Sequence, residues 1–262
     1  LYDLAVLYDE QHRSFTEDLA MYETLSRDYG EPVLELGIGN ARVGLELARK
    51  GREVWGLDLS PAMLRLSGEK AAAAKVKLGL YQGDMSNFDL TGALMSAGHD
   101  GFGLIMVPFN SICHLHSTEQ LVGCLQSVAR HLKKGGVFAP SVFVPHPDYL
   151  YRDGESLQFV DRFHSDSRKE EVELYETNSY DPIRQLNQIS WYFIGMDSEE
   201  TLERRFSLRM YYPQELRYIL RHCGFRIVEE WCEYTQRLRT PAELSRGIPA
   251  DAIVQTLVCT RD

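Results

Sequence analysis

The sequence predicts an α/β fold: a doubly wound sheet whose strands alternate with helices, interrupted once by an antiparallel β insert. Three observations carry this. The stretch Pro32 to Arg42 reads PVLELGIGNAR, an apolar run, a Gly-x-Gly turn and the start of a helical pattern. Apolar strand segments and amphipathic helical segments then alternate as far as residue 144. Between 157 and 212 that alternation stops, and consecutive runs rich in Val, Tyr, Phe and Trp follow one another across polar turns.

Val33, Leu34 and Leu36 leave no solvated face, which suits a parallel strand covered on both sides. After the turn, Val43, Leu45, Leu47 and Ala48 run with Glu46, Arg49 and Lys50 until Gly51 stops the helix. Gly37 and Gly39 let the backbone approach a ligand and aim amides at it. A dinucleotide fingerprint needs a third glycine, and Arg42 stands there instead. The next strand, EVWGLDL, places Asp58 at its tip about 20 residues past the first glycine, where an acid accepts ribose hydroxyls. Up to this point NAD and S-adenosylmethionine fit equally. The third strand closes as YQGDM, so Asp84 can accept an adenine amine while Met85 lies along the ring. Together with Glu35, this favours a positively charged adenosyl ligand over a diphosphate.

On ELGIGNAR, LDLSPAML at 57–64, QGDMSNF at 82–88 and PFNSICHL at 108–115, the chain resembles the class I S-adenosylmethionine-dependent methyltransferases. Within them it is most similar to bacterial small-molecule N-methyltransferases of the sugar-amine dimethyltransferase and glycine/sarcosine methyltransferase type. The resemblance covers most of the chain and is strongest over 30–145. It implies a seven-stranded Rossmann-like sheet of order 3-2-1-4-5-7-6 with the last strand antiparallel, N-terminal helices over the cofactor, and an insert that roofs the acceptor. It also implies S-adenosyl-L-methionine as cofactor, held by Tyr2, Glu35, Gly37, Gly39, Asn40, Arg42, Asp58, Leu59, Met63, Asp84, Met85 and Pro108. Two departures stand out. Ile38 replaces the usual Cys or Gly, and Asn40-Ala41 replaces Thr-Gly; Asn can supply the Thr hydrogen bonds, but Ala41 lacks the freedom of Gly. Thr91 to Gly101 is also longer than the short link expected before the fourth strand.

The remaining elements follow in order. Two helical patterns, Leu1 to Glu10 and Phe15 to Leu25, precede the first strand and bring Tyr2, Tyr8 and Tyr22 near the site by resemblance; the alternative is that these rings simply pack helices on the sheet. Ser60-Pro61 starts a helix as N-cap and first-turn proline. The fourth strand runs Gly103 to Val107, and the loop after Pro108 carries Asn110, His114 and His116 at the carboxyl end of the sheet, where open α/β folds place reactive groups. Ser117 caps the next helix, Gly135-Gly136 closes it, and Val137 to Val144 forms the fifth strand. Insert strands are expected at 157–164, 171–180, 186–194 and 201–212. Tyr149, Phe163, Trp191, Tyr192 and Tyr211 are either pocket lining or the core of that small sheet. A helix at 214–222, strands at 225–233 and 253–259, and a loop at 236–250 complete the chain. The organisation is therefore 1–147 cofactor core with helical cover, 148–212 antiparallel lid, and 213–262 the rest of the core sheet.

Composition narrows the function. A hydrophobic fraction of 44% and charged fraction of 25% describe an ordinary globule, so neither disorder nor a fibre is called for. The net charge of −10 repels a phosphate backbone and makes nucleic acid an unfavourable partner. The cysteines at 113, 124, 223, 232 and 259 are scattered, which argues for a reducing, cytoplasmic setting and against disulfides or zinc. Histidines and acids show no paired ligand spacing, so no metal is expected. No apolar run approaches about 18 residues, so no membrane span is expected. A leader before Leu1 and a homodimer both stay open. The expected activity is methyl transfer to a small-molecule acceptor, foremost an amine, with His114 as proton acceptor and Asn110 and Tyr22 orienting the acceptor. The alternatives are O-methylation of a small metabolite and a non-catalytic S-adenosylmethionine-binding protein. The acceptor's identity and the number of transfers are not written in these residues.

Overall fold

The computed structural model describes residues 2–261, the side chains of Tyr2 and Asp3 excepted. The chain forms two compact units. One comprises Leu1–Thr16 and Pro145–Met210, the other Glu17–Val144 and Tyr211–Asp262.

The larger unit is the doubly wound sheet. Helix α1 (Tyr2–His12) belongs to the other unit, and α2 (Leu19–Tyr29) leads into β1 (Val33–Leu36), every residue of which is buried. Then follow α3 (Arg42–Arg49), β2 (Val54–Asp58), α4 (Pro61–Ala74), β3 (Gly79–Gln82), α5 (Thr91–Ser96), β4 (Phe102–Val107), α6 (Thr118–His131) and β5 (Leu132–Phe143). The Ser60 hydroxyl caps α4, accepting the Met63 N–H, and Ser117 with Gln120 forms a capping box on α6. The long link before the fourth strand is occupied by α5. The Gly135-Gly136 pair does not stop α6, which ends at His131; both glycines lie inside β5. Close packing explains Gly136, where a Cβ would lie 2.6 Å from the Phe102 carbonyl oxygen, next to the irregularity in β4–β5 register; Gly135 is instead set apart by its φ of +79°.

The smaller unit is built on four antiparallel strands separate from the main sheet: β6 (Gln158–Ser165), β7 (Glu170–Asp181), β8 (Leu186–Gly195) and β9 (Thr201–Arg209), with the short helix α7 (Pro147–Leu150) before them. Alternate residues of β7 are buried, as its period-2 pattern requires. Sequence grouping places the first helix with the cofactor core, whereas α1 packs on this sheet: Leu7 shares a buried cluster with Val172, Leu174 and Phe193. Phe163 and Trp191 pack against the same cluster, so these aromatics serve as the sheet's own core. Tyr211 belongs to the larger unit instead. It is buried there and its hydroxyl donates to the Leu115 carbonyl at 2.5 Å.

The chain returns to the large sheet through α8 (Pro213–His222), β10 (Phe225–Cys232), β11 (Gln236–Leu238), α9 (Pro241–Arg246) and β12 (Val254–Arg261). Strand order is β3-β2-β1-β4-β5-β12-β10-β11, with β12 antiparallel to both neighbours. The seven expected strands keep their order, and an eighth, β11, is added at the edge where a loop is expected. Glu233 and Tyr234 both take positive φ (49° and 59°) and fold 236–238 back on β10. Without Gly or Asn in that turn, the sequence carries no hairpin signal.

Candidate active site

The turn after β1 is held from three sides. Gly37 and Gly39 have φ of +68° and +53°, the left-handed region that glycine enters without strain. A Cβ on Gly37 would stand 2.9 Å from the Ser111 Cβ and 3.3 Å from the Met85 Cε, so the loops that follow β1, β3 and β4 meet there. Asp58, at the tip of β2, accepts the Gly39 N–H at Oδ2 and the Ser60 N–H at Oδ1, both at 2.8 Å. The Ser67 hydroxyl donates to the Gly39 carbonyl at 2.6 Å and ties α4 to the turn.

The adenosine-side candidates lie around these tips. Leu59 is exposed, Met63 and Met85 are half-buried, and the exposed Asp84 accepts the Ser86 N–H at 2.8 Å. Tyr2 lies outside the described side chains.

Beneath the turn is a buried polar cluster. Asp18 is fully buried and forms a bidentate pair with Arg42, both bonds 2.6 Å, so the guanidinium placed by sequence on the cofactor is engaged with α2's own cap residue. The same guanidinium lies 5.6 Å from the centre of the Phe109 ring. Asn40 accepts the Arg42 N–H at 3.3 Å, and Ala41 takes φ +55°, a left-handed position where Gly is the easier residue. Ala41 has no side chain to cap α3; the Glu35 carboxylate faces the Gly44 N–H from the adjoining strand. A Cβ on Gly44 would come within 2.7 Å of Glu35 Oε2, and that oxygen has no hydrogen-bond partner. Burial pushes the Glu35 carboxyl up to about 8; Arg42 and the Gly44 N–H oppose this, while Asp18 and Asp58 add to it. Tyr22 is also fully buried, with its hydroxyl unpartnered beside Ser141. Burial, then Asp18 and Tyr234, raise its phenol well above the ordinary value.

The loop after β4 is fixed to the end of β5 through one residue. Asn110, with φ +62°, gives its side-chain oxygen to the Phe143 N–H at 2.6 Å and its own N–H to the Ser141 carbonyl at 3.2 Å. Its side-chain carbonyl therefore anchors the end of β5, and the amide NH2 of the same side chain is a separate donor. Pro108 is buried at the end of β4. His114 closes a 3-10 turn, Ser111–His114, and is exposed while Ile112 and Cys113 beside it are buried. Asp18, Ser111, Ser141 and Tyr234 join the site without any sequence signal, because each reaches it from a distant segment. Among the described residues, no group of three or more His, Cys, Asp or Glu is placed to hold a metal.

Asp58 at the end of β2 and Asp84 just after β3 thus stand with the glycine turn at the carboxyl edge of the sheet, where open α/β folds bind ligands. Residues 33–136 match the methyltransferase domain family. The likeness to known proteins extends beyond that segment. The chain as a whole shares its fold with solved structures. It is 23% identical over 235 residues to the Bacillus subtilis protein YqeM, a candidate methyltransferase, with 88% of each chain covered. Its fold is shared with an S-adenosylmethionine-dependent methyltransferase of Clostridium acetobutylicum at 19% identity and TM-score 0.74, covering 99% of this chain and 98% of that one. The sugar N-methyltransferase KedS8 of a Streptoalloteichus species is similar over 100% of this chain and 93% of its own, at 17% identity and TM-score 0.69.

Proposed function

We propose that the protein transfers a methyl group from S-adenosylmethionine to the nitrogen of a small hydrophilic acceptor. The observation that carries this is the pair of carboxylates, Asp58 and Asp84, at the tips of β2 and β3, together with a turn that no side chain larger than hydrogen could occupy at Gly37. The residues present fit the cofactor. The unpartnered Glu35 Oε2 suits a cationic group, the Asp58 carboxylate at the tip of β2 suits ribose hydroxyls, and Asp84 with Met85 suits the amine edge and face of adenine. When bound, the cofactor supplies a methyl already activated by the sulfonium. The chain's own task is then to hold the acceptor in line and remove its proton. His114 is exposed on the loop after β4 and takes the proton role. The acceptor class rests on likeness to sugar N-methyltransferases such as KedS8, and the net charge of −10 favours a cationic amine over a polyanion.

Calorimetry on Asp58→Ala tests the cofactor assignment: affinity should fall at least about tenfold, roughly 1.5–3 kcal/mol. Unchanged affinity, or tight NAD binding by the parent protein, refutes it. For His114→Ala, turnover with an amine acceptor should fall about 10²-fold at neutral pH with cofactor affinity intact, and the deficit should shrink at high pH where the amine is already neutral. A pH-independent loss would leave His114 only a positioning role.

A further inference from the structure

The buried cluster under the glycine turn holds more negative than positive groups. Asp18 and Tyr22 face Glu35 from α2, Arg42 and the Gly44 N–H from α3, and Asp58 from β2; Tyr234 and Ser141 stand behind Tyr22. The cation that faces Glu35 among the described residues, Arg42, places both terminal nitrogens on Asp18. Glu35 is 3% exposed and one of its oxygens has no partner, so an ionised Glu35 is left without a counter-charge of its own. Resting on the cofactor reading above, we infer that Glu35 carries a proton in the ligand-free protein and releases it when the cofactor's ammonium arrives to serve as the missing counter-charge. The proton passes from the Glu35 carboxyl to solvent, and a buried charge pair replaces a buried neutral acid. The upward shift of the Glu35 carboxyl, caused first by burial, agrees with that geometry.

The consequence is a specificity device. The site accepts a ligand amine only by giving up a proton, so a nucleoside lacking the amine would gain nothing from Glu35, and affinity for the amine-bearing ligand would rise with pH.

The test is titration calorimetry of the full chain with S-adenosylhomocysteine, which carries the same ammonium, in buffers of differing ionisation enthalpy. Close to one proton should be released per ligand at about pH 7, with affinity rising nearly tenfold per pH unit below about 8 and levelling off above it. 5′-(3-Carboxypropylthio)adenosine, the same molecule without its amine, should bind with no proton release. Glu35→Gln should abolish the release while still binding the nucleoside. Should that variant fail to fold, the amine-free nucleoside on the parent protein decides alone. Binding heat independent of the buffer, or equal proton release by both nucleosides, overturns the inference while leaving the cofactor reading intact. Failure of S-adenosylhomocysteine to bind at all overturns both.

Discussion

Two buried glutamates, one in each unit, stand in opposite electrostatic situations. Glu176 of the insert is 6% exposed and receives the Tyr149 hydroxyl at 3.1 Å, the Trp191 indole N–H at 2.7 Å and the Arg152 guanidinium. Arg152 also lies 4.7 Å from the centre of the Tyr149 ring, and Asn178 donates to the Tyr149 carbonyl and to Asn187. Burial, then the neighbouring Glu176, raises the Tyr149 phenol. Glu35 of the larger unit has a comparable burial, yet the facing cation is engaged by Asp18 and one oxygen has no partner. A carboxylate with both oxygens engaged stabilises the fold around it. A carboxylate left short of partners is a place where a ligand completes the arrangement.

The largest expected effect comes from breaking the saturated side of this comparison. Glu176→Ala leaves Arg152 uncompensated and two donors unpaired, and should lower stability by about 3–5 kcal/mol in chemical denaturation. A loss under about 1 kcal/mol would mean the network is no more than a surface ion pair.

The next effect concerns pH. Because the Glu35 carboxyl is raised from 4.5 to about 8 on folding, the folded state binds more protons than the unfolded state between those values. This group therefore contributes stability that is fully present below about pH 4.5 and is lost as pH rises toward about 8, so its share of the ligand-free stability falls across that window. Glu35→Gln, read by thermal unfolding against pH, should flatten that part of the profile. An unchanged slope would place the proton elsewhere.

The smallest effect sharpens the unsatisfied side. Tyr22→Phe deletes a hydroxyl that has no partner in the ligand-free chain, so stability should hold steady or rise by about 1 kcal/mol. A loss greater than that would show that the hydroxyl is bonded, with Ser141 the nearest candidate.

Most of the architecture was legible because its signals are local. Apolar runs without a polar face marked β1 and β4, and a Ser at the head of α4 and of α6 marked their starts. Period-2 alternation marked all four insert strands within a few residues, since a half-buried strand must alternate wherever it lies. Asp58 and Asp84 were visible for the same reason: each is fixed by its distance from a strand end.

What the sequence by itself determined was which residues face inward and where the chain turns. Tertiary structure alone decided what they face. Leu7 is apolar at a helical position whether α1 covers the main sheet or the insert, and only packing assigns it to Val172, Leu174 and Phe193. Asn110 stands in a loop by sequence, and only the fold brings the Phe143 N–H to its side-chain oxygen. The pairing of Arg42 with Asp18 has no sequence signal because Asp18 lies 24 residues away, at the cap of another helix. Periodicity records burial, a property of one residue in its own element. Pairing is a property of two distant segments brought together, and no local pattern encodes it.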